Sequence, residues 1–399
     1  MAAVPTFEWA NPHTLAQARR RLGLSPDDVE NQSKKRGFGY EPITKPELAQ
    51  WEDGKAEPSL ENLEALARLY VCPVGWFFLD QVPNDLQKLD FRGVIQEDAI
   101  EGPGRQTLAR FLEFVEWTDA VARGLGERIT TNIGSAQISD DIDELVRVER
   151  SRIGFDPAIR KSWAHRDEAF DWWRTAIEGL GVFCFMMRLP TRHVRGASTW
   201  SEGGGAFILV NSEDAETAAG RTFTLLHEFG HLLLRESFVC DFRGSNQGSK
   251  VEQFANQFAA RMLIDKDELR KELQKLGYDH LRELWGDSTL DKIREPFFVS
   301  RDVVAILIEE LGFAPQGFYR QKRAQWAKYK GFGRASGPPV KRPLAQRKLR
   351  QVGFSLARLL SKSDHSDAVP LLDIADMLGV KVERLPELFS TFQNVGGAR

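Results

Sequence analysis

Thr222-Phe-Thr-Leu-Leu-His227-Glu228-Phe229-Gly230-His231-Leu-Leu-Leu234 organises the rest of this 399-residue chain. On a helix, histidines at i and i+4 share one face, so both imidazoles can reach one zinc ion. Glu228, next to the first histidine, stands where a general base takes a proton from water. Phe223, Leu225, Leu226, Leu232 and Leu233 make the other faces apolar, as in a buried helix. Two ring nitrogens in such a core need partners, which a metal supplies; the competing reading is a hydrogen-bonded pair of core histidines. With seven histidines in the chain, chance produces His-Glu-x-x-His on the order of once in a hundred such sequences.

A hydrolytic zinc takes three protein ligands and keeps one position open. Val251-Glu252-Gln-Phe-Ala255-Asn256-Gln-Phe258-Ala259-Ala260 begins 20 residues after His231. At helical spacing Glu252, Ala255, Asn256, Ala259 and Leu263 share a face. The alanines let this helix approach Gly230, so Glu252 is the expected third ligand, with Asn256 orienting the site from one turn away. Asp241 is the competing ligand, and an exposed acid at a helix start is the competing role for Glu252.

Two short strands are predicted just upstream, Gly181–Met187 and Ala206–Asn211. The second reads either as sheet core or as an edge strand that holds a substrate peptide by backbone pairing. His193 and Arg195 are candidates for stabilising an oxyanion. Helical periodicity appears at Thr14–Leu22, Leu60–Tyr70, Thr107–Leu125, Arg166–Leu180, Thr222–Arg235, Lys250–Leu263, Arg301–Leu311 and Leu344–Leu360.

Hydrophobic residues make up 42% of the chain and aromatics 10%, enough for substantial cores and against a disordered chain. No apolar run approaches the ~18 residues of a membrane-spanning helix. The start of the chain lacks a signal-peptide pattern, and Cys72, Cys184 and Cys240 form no paired framework. A cytoplasmic, multidomain protein without a membrane partner is expected.

Charge is unevenly spread. Residues 320–362 hold 13 Lys/Arg and no acid, while the whole chain is −3. With Trp326, Tyr329, Phe332 and Phe354 interleaved, this strip reads as a nucleic-acid contact or as a counter-charge to the acidic remainder of the chain. Its glycines and prolines place a linker at 331–343, and Glu101-Gly-Pro-Gly104 marks a shorter break.

Near the N-terminus, Thr44-Lys-Pro-Glu47 has the form of a capping box. Leu48-x-x-Trp51-Glu52-x-Gly54-Lys55-x-x-Pro58-Ser59-Leu60-x-x-Leu63-x-x-Leu66-Ala67 resembles the second half of XRE-type helix-turn-helix domains. Trp76-Phe-Phe-Leu79 and Asp90-Phe-Arg92 resemble the branch of that family with a metallopeptidase domain downstream. The resemblance implies that Thr44, Lys45, Glu47 and Gln50 face the bases of a DNA major groove. The long stretch Asn31–Ile43 and the net charge of −4 over residues 1–90 depart from a DNA-binding pattern. A helical domain that contacts protein is the other reading.

Arg195-Gly196-Ala-Ser198, Ala206-Phe-Ile-Leu-Val-Asn211, the 221–231 stretch and Glu252-x-x-Ala255-Asn256-x-Phe258-Ala259-Ala260-x-x-Leu263 together resemble the ImmA/IrrE-type metallopeptidases over roughly residues 160–330. The resemblance implies a zinc-dependent endopeptidase acting on a repressor in stress or mobile-element control, with His227, His231 and Glu252 as ligands and Glu228 as base. Leu263-Ile-Asp265 departs from the family, which commonly has a proline there. Val369–Val380 resembles the helical segment that often follows such domains.

The expected fold is α+β and helix-rich. It comprises a helix-turn-helix domain at 1–90, a helical connector at 91–159, a zincin-like peptidase domain with a small sheet at 160–330, the linker, and a C-terminal helical segment at 344–399. The alternative function is a DNA-binding regulator, or a toxin–antitoxin or defence component, whose metal domain senses a ligand or partner without turnover.

Overall fold

The structure is a computed structural model. It describes residues 10–35, 38–83, 86, 100, 102–190, 194–212, 218–235, 238–240, 250–278, 280–282, 284–328, 342–363 and 369–396. The chain divides into two compact units, one of residues 1–88, 96–115 and 189–193, the other of 89–95, 116–188 and 194–399.

The first unit is helical, and its local sequence shows why each helix begins where it does. Asn11 caps α1 (Pro12–Arg21), while Ser25–Asp28, Thr44–Glu47 and Ser59–Asn62 form capping boxes for α2 (Pro26–Ser33), α3 (Lys45–Glu52) and α4 (Leu60–Tyr70). Leu15, Leu22, Leu48, Leu66, Tyr70 and Phe77 fill its core. Arg19 holds Glu52 through two hydrogen bonds of 2.7 Å, tying α1 to α3. Helix α5 (Gly102–Gly124) starts at the Gly-Pro-Gly stretch read as a break. Gly102 is required there, since a Cβ would sit 2.7 Å from the carbonyl oxygen of Gly23.

In the second unit, α6 (Ile142–Arg152) and α7 (Arg166–Gly179) precede the sheet. Strands β1 (Val182–Met187), β2 (Gly196–Trp200), β3 (Ala206–Asn211) and β4 (Phe238–Cys240) lie in the order β1-β3-β2-β4. β3 runs parallel to β1 and antiparallel to β2, and β2 pairs antiparallel with β4. The edge-strand reading of Ala206–Asn211 is therefore corrected: β3 is central, hydrogen-bonded on both sides. Its run Phe207-Ile-Leu-Val210 is buried on both faces, as a central strand requires.

Side chains alternate across the sheet. Cys184, Met186, Ile208 and Val210 join the large core that includes Phe223, Leu226 and Phe229 of α8 (Ala218–Leu233). On the opposite face Phe183 stacks on Phe207 with centroids 4.8 Å apart. Helix α9 (Lys250–Leu263) packs along α8 and is followed by α10 (Lys266–Lys275), α11 (Asp287–Arg294), α12 (Arg301–Glu310) and α13 (Phe318–Lys328). The C-terminal part comprises α14 (Leu344–Ser363), α15 (Leu371–Leu378) and α16 (Leu385–Gly396).

Helix α14 is kinked at Gly353 (φ 82°, ψ 173°) where it meets β1. Ser355 Oγ donates to the carbonyl of Val182 at 2.9 Å, and Arg174 donates to that of Cys184. Carbonyls on the outer side of β1 are thus satisfied by side chains rather than by another strand. Beneath the kink, Glu178 accepts the Phe354 N–H at 3.0 Å.

Candidate metal centre

Helix α8 carries His227, Glu228 and His231, each fully buried. α9 can lie close because Gly230 faces Ala255, where a Cβ on the glycine would be 3.4 Å from the alanine Cα. That approach brings in Glu252, in the first turn of α9 and itself buried. One donor atom from each of His227, His231 and Glu252 lies within 4.8 Å of the others. His227 Nε2 is 3.0 Å from His231 Nε2 and 3.4 Å from Glu252 Oε2, and His231 Nε2 is 3.5 Å from Glu252 Oε1.

These separations fit an ion. Donors at the ~2.05 Å typical of zinc, arranged tetrahedrally, lie about 3.3 Å from one another. The protonation states agree as well. Burial, above all, lowers the His227 pKa and keeps the ring neutral. Burial opposes ionisation of Glu252, but hydrogen bonds with His227 and His231 outweigh it and hold the carboxyl well below the usual carboxylate range. A neutral His227 ring and an ionised Glu252 are the forms in which such ligands bind a divalent cation. Asn256 Oδ1 lies 3.1 Å from His227 Nδ1. A metal bound at Nε2 would place the ring proton on Nδ1, where Asn256 Oδ1 can accept it.

This arrangement coincides with a known domain. Residues 177–309 match the family model of the IrrE N-terminal-like domain, peptidase M78. The match covers a third of the chain and supports a metallopeptidase-type activity. None of the curated proteins matches the chain.

The other residues singled out from sequence are placed differently. His193 and Asp241 lie outside the described residues, as does the 331–341 part of the linker. Arg195, buried just before β2, is close enough to Tyr319 of α13 for its charge to bear on the phenol, which burial pushes up to about 12. Thr44, Lys45, Glu47 and Gln50 belong to the first unit. There Thr44 and Glu47 cap α3, Lys45 is ion-paired with Asp27, and its N–H donates to Glu30 at 3.1 Å.

The basic strip meets acids of its own unit. Lys322 pairs with Asp287 at 3.0 Å, Arg323 with Asp302 at 2.7 Å, Arg350 with Asp167 at 3.5 Å and Lys362 with Glu127 at 2.7 Å. Sequence reasoning gave no role to Ser198. Its hydroxyl, buried on β2, donates to Glu228 Oε2 at 2.8 Å. Ser198 shares a strand face with Gly196, two residues away; the signal in the sequence was its place in Arg195-Gly196-Ala-Ser198, one of the stretches that resemble the metallopeptidases.

Proposed function

We propose that this chain is a zinc-dependent endopeptidase that makes a limited cut in a regulatory protein, such as a transcriptional repressor, in stress or mobile-element control. The observation that carries the reading is the buried convergence of His227, His231 and Glu252, with Glu228 adjacent on the same helix. Bound there, zinc would supply Lewis-acid polarisation of a peptide carbonyl and acidify a water molecule. His227, His231 and Glu252 would hold the ion, and Asn256 would fix the His227 ring. Glu228 takes the proton from the attacking water and passes it to the departing amine nitrogen, so one carboxylate serves as base and then as acid.

An intact Glu228 favours turnover over sensing alone, because holding a metal does not require a base beside it. The test compares wild type with Glu228→Gln for zinc content and for cleavage of a co-expressed repressor encoded nearby. Zinc in both, with cleavage in the wild type only, supports the proposal. A wild type without zinc, or full-rate cleavage by the Gln variant, defeats it. Zinc in both and cleavage by neither favours the sensing role.

A further inference from the structure

Resting on that reading, we infer that strand β2 is the seat of the Glu228 carboxylate, and that Ser198 is a positioning residue fixing which carboxylate oxygen handles the proton. Strand β2 lies against α8, with Gly196 and Ser198 in register with Val210 and Ile208, whose side chains join the α8 core. Alternation along the strand puts Gly196 and Ser198 on that same side. The Ser198 hydroxyl reaches Glu228 Oε2 at 2.8 Å. A Cβ on Gly196 would lie 2.6 Å from Oε1, 2.9 Å from Glu228 Cγ and 2.8 Å from the Thr224 methyl. One residue of the strand grips the carboxylate, and the other makes room for it by having no side chain.

The chemical consequence follows from the inventory of a hydroxyl. Ser198 has one proton to give, and a carboxylate accepts through either oxygen. With Oε2 occupied by that donor, the carboxylate is held from turning about its terminal torsion, which is otherwise broad. Oε1, lying over Gly196, becomes the atom that receives the water proton. A hydrogen bond to an ionised group is strong enough to hold this orientation.

The experiment uses the full chain loaded with zinc and acetohydroxamic acid as probe. A hydroxamate chelates zinc in place of the water and hands its proton to the neighbouring glutamate, so its affinity reports the placement of Glu228 without a substrate. Zinc stoichiometry is measured alongside and should be equal in the wild type, Ser198→Ala, Ser198→Thr, Gly196→Ala and Glu228→Gln. Hydroxamate affinity by calorimetry should fall roughly ten-fold in Ser198→Ala, in line with one hydrogen bond to a charged group. It should recover in Ser198→Thr and fall again in Gly196→Ala.

In the Glu228→Gln background, Ser198→Ala should cost much less than it does alone, because the two residues act as a unit. Unchanged affinity in Ser198→Ala overturns the inference. So does a loss that threonine fails to restore, or one of equal size in the Gln background. A zinc-loaded wild type that binds no hydroxamate overturns the peptidase reading itself, and this inference with it. Should Gly196→Ala not fold, the Ser198 pair and the double variant still decide.

Discussion

Glu178 should make the attachment of α14 to the sheet depend on pH, and Glu178→Gln should abolish that dependence. Burial raises this carboxyl from 4.5 to about 7, despite the nearby Arg174 and the Phe354 N–H. Its neutral form is therefore preferred in the folded protein. The stability it contributes is fully present below about pH 4.5 and is lost as pH rises through about 7. At ~1.4 kcal/mol for each pH unit between those values, the loss amounts to about 3 kcal/mol.

Gln has no proton to lose, and its amide oxygen can still accept from Phe354, so the variant should be flat over this window. Arg174 donates to the carbonyls of Cys184 and Arg350, bonds that do not involve Glu178 and should persist in the variant. Hydrogen exchange in peptides covering β1 and α14, corrected for intrinsic rates, measures opening of this contact locally. The wild type should lose protection relative to Gln between pH 4.5 and 8. A constant difference, or a wild type that gains protection over that range, would refute the reasoning.

Three further outcomes follow from the same packing. Asn256→Ala should weaken zinc binding ~10- to 100-fold by removing the group that orients His227, measured by competition with a chelator; unchanged affinity would deny Asn256 that role. Gly230→Val should force α8 and α9 apart, since even a Cβ meets Phe258 at 3.1 Å. Overpacking of this kind costs ~1–3 kcal/mol, and zinc content should fall with it; full zinc occupancy at wild-type stability would show that the helices have room to spare. Gly353→Ala should lower stability to urea by at least ~2 kcal/mol, because its backbone lies in a glycine-only region and the new methyl would meet Glu178 Oε1 at 1.9 Å. A loss below ~0.5 kcal/mol would mean that the kink relaxes freely.

What was legible in the sequence was what is local. The α9 bounds coincide with the Lys250–Leu263 predicted from periodicity, and α4 with Leu60–Tyr70. The four-residue spacing of His227 and His231 and the small face of α9 are likewise properties of single helices. Strand β2 was not predicted, because Gly196-Ala-Ser-Thr-Trp200 lacks the aliphatic alternation that marks a strand. Its burial comes from pairing with β3 and β4, which no short window contains. Ser198 stood in the stretch Arg195-Gly196-Ala-Ser198, but its contact with Glu228 became visible only when β2 was laid against α8. The central position of β3 is an intermediate case. Its uninterrupted apolar run fitted an edge strand and sheet core equally well, and which strands would flank it depended on the topology.

Electrostatics separates the candidate sites further. Binding to a phosphate backbone needs cations that can leave their present partners. Lys45 and Lys362 are held by exposed acids, and such pairs contribute at most about 1 kcal/mol, so a phosphate could take either of them. Lys322 and Arg323 are mostly buried against Asp287 and Asp302, and Trp326 donates to the same Asp287 at 3.0 Å. Separating Arg323 from Asp302 would strip a mostly buried acid of its cation, a larger cost, whereas Asp287 is about as exposed as Glu127 and also pairs with Arg301 at 3.0 Å. The inner end of the basic strip is therefore held to its own unit, and Trp326, one of the four aromatics interleaved with it, shares Asp287 with Lys322. At the metal centre the balance runs the other way. Two imidazoles and a carboxylate have been brought within 3.5 Å of one another out of water, and a divalent cation bound there would turn that desolvation cost into affinity.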